Sequence, residues 1–361
     1  HKTGQCACWI RNTVEDARRT FELLSNEKDI DTSKLFLFHA RFTLSDRLAK
    51  EDTVIETFGN KSNADNREGR ILIATQVVEM SLDLDFDVLL TDLSPIDSII
   101  QRAGRLHRHI RDVAGNLLLE YHAIDQRIPP VLRVLSPEQN NSPKANWYSE
   151  LFPKATLVYP HVGRLWLTAC ILDEKRQIKM PDDLRMMIEG VYATPIEELP
   201  DVFRETSAKA EAEAMGTGSL GKYNALKYEN GYRWDSGQWA EEINVPTRVG
   251  DETHTIFLTH IKGGKFVPIN EGYSPWDLSS VKVSKKKLKK LSEKKCQQYE
   301  CDLNILVKNE KRLSAYDVVV PLEQCGENQW ISEGENGKGD IVKIVYERTS
   351  GLMIGDEIKG D

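Results

Sequence analysis

Residues 101–111 read QRAGRLHRHIR, with Arg102, Arg105, Arg108 and Arg111 at every third position and Gly104 inside the run. A guanidinium is a planar fork of donors that matches phosphate oxygens and stabilises charge on a phosphoryl group in transfer. Gln101 adds a neutral donor and acceptor. A three-residue spacing drifts around a helix axis, so these arginines do not form one stripe. Gly104 costs about 1 kcal/mol inside a helix relative to alanine, a cost that marks close approach of a ligand or another backbone. On chemistry alone, a phosphate site and a salt-bridged surface stand level.

A second stretch, ILIATQVVEMSLDLDFDVLLTD (71–92), leaves an apolar run at Thr75 and Gln76, then returns to one after a loop with Glu79, Asp83, Asp85 and Asp87. Polar side chains at a strand end can donate to phosphates; the acids suit Mg²⁺ or plain solvation. A third stretch, VSKKKLKKLSEKK (283–295), gathers Lys285, Lys286, Lys287, Lys289, Lys290, Lys294 and Lys295 around Leu288 and Leu291. It reads as a helix with an apolar edge, and as a solubilising face rather than a phosphate contact. Trp234, Trp239, Trp276 and Trp330 read as core of a small β domain before stacking platforms. His107 and His109 read as packing rather than metal ligands.

The elements that must position these residues alternate. Apolar runs at 5–10, 35–39, 70–78 and 88–92 are separated by helical patterns at 13–24, 43–58 and 94–103, and 117–121 offers one more strand. Thr13 is placed to cap the first helix, and Thr43 with Asp46 forms a capping-box pattern at the second. Continuous apolar strands between helices predict a parallel sheet covered on both faces, an α/β fold with ligands at the carboxyl ends of the strands. Thr75, Gln76 and the arginines fall at that end. Helical patterns follow at 162–173, 182–191 and 197–215, then a linker GTGSLGKYN, then short β runs at 255–260, 265–268, 318–321 and 341–346. The expected organisation is a sheet lobe over 1–160, a helical linker over 161–231 and a small, mainly β C-terminal domain over 232–361.

With 29% charged and 40% hydrophobic residues and a formal net charge of −8, the 361-residue chain is not a polycation. Any contact with nucleic acid must therefore be local. The six cysteines show no CxxC pair and read as reduced, structural thiols of a cytoplasmic protein. There is neither an apolar run of about 18 residues nor a signal-peptide pattern, so no membrane partner is expected. The chain begins with His1 rather than Met, as a piece of a longer polypeptide would.

QRAGRLHRH and ATQVVEMSLDLDFD, one strand–helix step apart, resemble motifs six and five of superfamily-two helicases. More narrowly, the pair resembles the CRISPR-associated helicase–nuclease of type I systems, the Cas-three family. LFLFHARFTLSDR (35–47) resembles its motif four, and WIRNTVEDA (9–17) the start of its second RecA-like lobe. The resemblance implies a RecA-like fold in which Arg105 and Arg108 reach ATP across an interlobe cleft, Arg108 as the finger. Gln101 and Gly104 share that motif, and Asp83 meets nucleotide ribose. Thr75 and Gln76 contact the nucleic-acid backbone, and His39 and Arg41 lie near the strand. Ser81 replaces a glycine common in related helicases. The implied partners are the first RecA-like lobe and HD nuclease of the same family, single-stranded DNA and a Cascade-type effector complex.

The first lobe's chemistry is missing from the sequence. GTGSLGK (216–222) fits G-x-x-x-x-G-K, but Tyr223 follows where Mg²⁺ needs a small hydroxyl. VLLTD (88–92) resembles a Walker B strand, yet Leu93 and Ser94 replace the catalytic acid, and no His-Asp dipeptide occurs. ATP and Mg would be held mainly by the absent lobe, so the chain alone is expected to be inactive. A stand-alone DNA- or partner-binding regulatory module and part of an RNA helicase are the competing expectations.

Overall fold

The computed structural model describes residues 4–79, 82–120, 122–224, 253–263, 265–310, 312–313, 317–326 and 328–358. Two compact units emerge. One takes in the described residues of His1–Leu93, Ser98–Leu135 and Glu252–Asp361; the other takes in those of Ser94–Asp97 and Ser136–Asp251. Ser81, Trp234 and Trp239 lie outside the described residues.

The first unit contains two sheets. Strands β1 (Ala7–Ile10), β2 (Leu35–Phe38), β3 (Ile71–Ala74), β4 (Val88–Asp92) and β5 (Val131–Leu135) form an all-parallel sheet in the order β2-β3-β1-β4-β5. The runs ILIA, ACWI and VLLTD occupy its inner positions, and LFLF the β2 edge. Cys6, Cys8, Ile10, Phe38, Leu72, Ala74 and Leu89 are buried within one core cluster of this lobe. Full burial of a large apolar side chain stabilises by about 1.5–3 kcal/mol.

Helix α1 (Val14–Ser25) starts where Thr13 Oγ1 accepts the Asp16 N–H at 3.0 Å. Helix α2 (Leu44–Phe58) starts at Thr43, whose hydroxyl accepts the Asp46 N–H at 3.3 Å and donates to the Asp46 carboxylate at 3.1 Å. A short α3 (Ala64–Arg67) precedes β3, and α4 (Ile96–Ala103) follows β4.

Two strand expectations need correction. Residues 117–120 are not a strand; Leu117 makes only an isolated bridge with Arg111. The fifth strand is β5, which the sequence pattern hides. As an edge strand it alternates exposed and half-buried positions instead of forming an apolar run. The expected strand over 70–78 also stops at Ala74, and Gln76–Val78 folds into a single 3₁₀ turn.

The second sheet is mixed and lies toward the C-terminus. Strands β6 (Thr253–Lys262), β7 (Lys265–Pro268), β8 (Ser280–Ser284), β9 (Lys290–Leu291), β10 (Val318–Gln324), β11 (Gln329–Glu335), β12 (Ile341–Glu347) and β13 (Gly351–Ile354) carry the order β13-β12-β11-β10-β6-β7, with β8 on β6 and β9 on β11. Only β10 and β6 pair in parallel among these strands, which requires a long crossover. The crossover contains two helices, Pro275–Leu278 and Glu293–Asn309.

The lysine run is therefore not a helix over its leucines. Leu288 is fully buried in a turn and Leu291 sits on β9, both in the sheet core. The helix begins only after the Ser292 cap. Lys287 pairs with Glu357, Lys290 with Glu335 at 3.2 Å and Lys295 with Glu323. Trp276 is buried beside Phe257, and Trp330 packs on Tyr346, as the core reading expects.

The second unit contributes α5 (Trp147–Leu151), α6 (Val162–Lys175), α7 (Leu184–Tyr192) and α8 (Asp201–Asn224). The expected linker GTGSLGKYN is instead the end of α8, whose helix continues from KAEAEAM to Asn224. Gly163 lets α6 lie close to the start of α8, since a Cβ there would sit 2.5 Å from Leu199 and 2.7 Å from Ser207. No described helix is long and apolar enough to cross a membrane.

Candidate functional site

Helix α4 stops at Ala103, so Arg105, Arg108 and Arg111 lie on the irregular segment that follows it. Their regular spacing therefore produces four different environments. Arg102, fully buried, donates from Nε and Nη2 to Glu79 at 2.7 Å. It also donates to the Asp92 carbonyl at 3.1 Å, to Asn12 Oδ1 at 3.3 Å and to the Thr91 hydroxyl. It thus ties the carboxyl ends of β1 and β4 to the loop after β3.

Arg105, 8% exposed, donates to the carbonyls of Glu79, at 2.7 Å, and Leu82. Arg111 is fully buried; it donates to the carbonyls of Ser62 at 2.6 Å and of Gly59 and Gly115 at 2.9 Å, and pairs with Asp85. Arg108 differs from all three. Its side chain is 44% exposed, and Nε meets Asp83 Oδ1 at 2.6 Å.

Asp83 is 45% exposed and also receives His109 Nε2 at 3.0 Å. Partial desolvation pushes its pKa up, but the hydrogen bonds and charges of Arg108 and His109 outweigh this and hold it below the ordinary carboxylate value. Asp85 and Asp87 are buried and structural. Arg67 reaches Asp87 at 2.8 Å, Arg127 reaches Asp87 at 2.8 Å and Asp85 at 3.2 Å, and the Cys6 N–H donates to Asp87 at 2.8 Å. Although burial opposes it, this set of donors lowers Asp87 to about 2. Among the described residues no group of three or more His, Cys, Asp or Glu is arranged to hold a metal ion.

Sequence reasoning missed Arg67 and Arg127. Neither sits in a recognisable pattern, and the alternation of Asp83, Asp85 and Asp87 with the buried Leu84 and Phe86 would by itself point the acids away from the core.

Thr75 is buried at the end of β3, where its N–H donates to the Phe38 carbonyl at 3.3 Å, and Gln76 Nε2 donates to the Asn12 carbonyl at 2.9 Å. Through Glu79 this turn is bonded to both Arg102 and Arg105. Gln101 is exposed on the last turn of α4. Among the described residues of this chain nothing packs tightly against Gly104. Its φ is not left-handed, and an added Cβ would lie 3.4 Å from the Gln101 carbonyl and 3.6 Å from that of Ile100, with nothing else within 4 Å.

His39 departs furthest from expectation. It is 0% exposed, stacked on Phe42 with centroids 4.4 Å apart, and its Nδ1 accepts the Arg41 N–H at 3.2 Å. Burial, then the charges of Arg18, Lys50 and Arg41, push its pKa well below the ordinary value. As placed, it offers no surface to a nucleic-acid strand. Arg41 is partly exposed beside it. Asp83, Arg105, Arg108, Thr75 and Gln76 are thus joined in one bonded pair of loops, whereas His39 and Arg41 belong to a separate network.

The parallel sheet, its arginine-bearing segment and the mixed sheet that follows define a RecA-like lobe with a mainly β C-terminal part. Comparison with known proteins agrees. Residues 3–111 match the family model "CRISPR-associated nuclease/helicase Cas3, C-terminal". The chain is 33% identical over 273 residues to the CRISPR-associated endonuclease/helicase Cas3 of Escherichia coli, covering 74% of this chain and 26% of that protein. The Thermus thermophilus protein of the same description is 35% identical over 181 residues, which is 50% of this chain and 18% of that one.

A crystal structure of T. fusca Cas3 superposes with a TM-score of 0.67 at 22% identity, over 98% of this chain and 38% of that one. The T. fusca protein is also solved as Cas3-ATP, at a TM-score of 0.65 and 22% identity over 97% of this chain and 39% of that one. The chain belongs to the Cas3 nuclease/helicase family, over the C-terminal region that the family model describes. It spans about a quarter of the length of its E. coli relative.

Proposed function

We propose that the chain supplies the second motor lobe and C-terminal domain of an ATP-dependent single-stranded DNA translocase–nuclease of type I CRISPR interference, with Arg108 as the arginine finger. One observation carries this reading. Of the four arginines, three are locked into their own lobe by buried carbonyls and carboxylates, while Arg108 rests in a solvent-exposed pair with Asp83. Such a pair is worth about 0–1 kcal/mol, so Arg108 can leave Asp83 for a phosphate oxygen at little cost.

Arg105 orients the same segment from beneath, and Asp83 and Gln101 lie on the nucleotide side, next to Gly104. Thr75 and Gln76, bonded through Glu79 to the arginine segment, carry strand contact to the cleft. Arg41 provides a further backbone contact. ATP, when bound, supplies the phosphoanhydride whose hydrolysis drives movement; it and Mg are held mainly by a first RecA-like lobe. T. fusca Cas3 structures with ATP, AMPPNP and ADP support nucleotide use. A further match, described as a CRISPR RNA-guided surveillance complex before nicking, supports a Cascade-type partner.

The test is complementation. Mixed with a polypeptide that carries the first lobe and HD nuclease of the family, this chain gives DNA-stimulated ATPase, and Arg108→Ala lowers kcat by about 10³-fold or more. Turnover by the chain alone, lost in Arg108→Ala, would overturn the division of labour. Stimulation by RNA in preference to DNA would move the chain to the RNA helicases.

A further inference from the structure

The segment from His39 to Asp46, which is the loop after β2 and the first turn of α2, is enclosed by residues from farther along the chain. The Leu352 N–H donates to the Arg41 carbonyl at 2.7 Å. Gly351 sits directly above, with φ +73°; a Cβ there would lie 2.6 Å from the Arg41 oxygen and 3.0 Å from His39 Cε1. Neither the backbone conformation nor the space admits a side chain.

The fully buried Tyr346 hydroxyl accepts the Thr43 N–H at 3.2 Å and donates to the Asp46 carboxylate. Asn270 Nδ2 donates to the Thr43 hydroxyl at 3.0 Å, and Arg348 reaches Asp46 at 3.2 Å. On the other flank, Arg18 donates to the Ser350 carbonyl at 2.7 Å and to that of Leu352, and pairs with Glu357 at 3.3 Å. A lid that opens in each cycle would not be expected to bury so many matched polar groups, because each is costly to leave unpaired.

We propose that the β12–β13 hairpin is a positioning element for the 39–46 segment, with Gly351 as its fitted residue and Tyr346 as its anchor. The C-terminal sheet holds the loop that carries Arg41 in one conformation, and the two sheets move as one body. The consequence for DNA rests on the functional reading above, in which Arg41 meets the strand.

Hydrogen exchange on the full chain tests this. Gly351→Ala is expected to speed exchange of the 39–46 amides at least tenfold while Ile256–Leu258, in the core of the second sheet, keep their protection. If that variant does not fold, Tyr346→Phe removes only the hydroxyl, and a few-fold rise confined to 39–46 is expected. Unchanged exchange at 39–46 in either folded variant overturns the proposal. A companion titration with a fluorescent oligothymidine separates the two ideas. Equal loss of affinity in Gly351→Ala and Arg41→Ala supports positioning for strand contact. Faster exchange with unaltered affinity supports the hold of the hairpin on the loop and overturns instead the role of Arg41 at the strand.

Discussion

Identical chemistry at regular spacing does not imply identical work. Arg102 and Arg111 are structural ties, Arg105 is a brace, and Arg108 alone of the four keeps substantial exposure. The sequence made the cluster visible, and the chemistry of arginine made phosphate a fair expectation. It could not sort the four, because the acceptors that capture Arg102, Arg105 and Arg111 come from Gly59, Ser62, Glu79, Leu82 and Asp85, which only folding brings near. The same blindness set His39 beside a strand, whereas the fold buries it fully. Urea unfolding should separate the arginines. Arg111→Ala leaves Asp85 short of a buried partner and is expected to cost about 3–5 kcal/mol, whereas Arg108→Ala should shift stability by less than about 1 kcal/mol. Similar shifts for the two variants would mean that their environments are not those described.

Among elements, those whose signals are local were legible. Strands β1 to β4 announce themselves as apolar runs, and α1 and α2 by their threonine caps. In the C-terminal part the runs at 255–260, 265–268, 318–321 and 341–346 fall on β6, β7, β10 and β12, whereas β8, β9, β11 and β13 had no counterpart in the pattern. Signals that depend on partners were not legible: β5 is a strand because β4 offers it an edge, and Leu117 is not because it meets only Arg111. In the lysine run, a three-residue leucine spacing suggested a helix, yet Leu288 fills the core from a turn and Leu291 from a two-residue strand. Leu288→Ala is therefore expected to cost about 2–5 kcal/mol, as for a buried core leucine. A loss well under about 1 kcal/mol in thermal unfolding would restore the exposed helix edge.

For the molecule as a whole, stability should depend on pH in two stages. His39 is held neutral by burial and by neighbouring cations, so its folded pKa lies below its unfolded value of about 6.5. Its contribution is complete above that value and is lost as pH falls below it, by up to about 1.4 kcal/mol per pH unit. Asp87, lowered to about 2 in the folded chain, contributes above its unfolded value of about 3.9 and loses that contribution only in the more acidic range. Chemical unfolding at pH 7, 5.5 and 4.5 should show a decline between the first two points that His39→Gln lessens. An equal decline in that variant would assign the loss to other groups.

The loop after β2 depends on partners that a ribosome delivers late. Tyr346 follows Thr43, which it anchors, by 303 positions. Until it emerges, the nascent chain carries an early sheet with one exposed corner, and pairing that distant is slow to form. A message that stopped just short of Tyr346 would encode both arginine loops intact and still leave that corner without Tyr346, Arg348 and Gly351. Damage at codons 346–352 would then be felt first at the loop after β2.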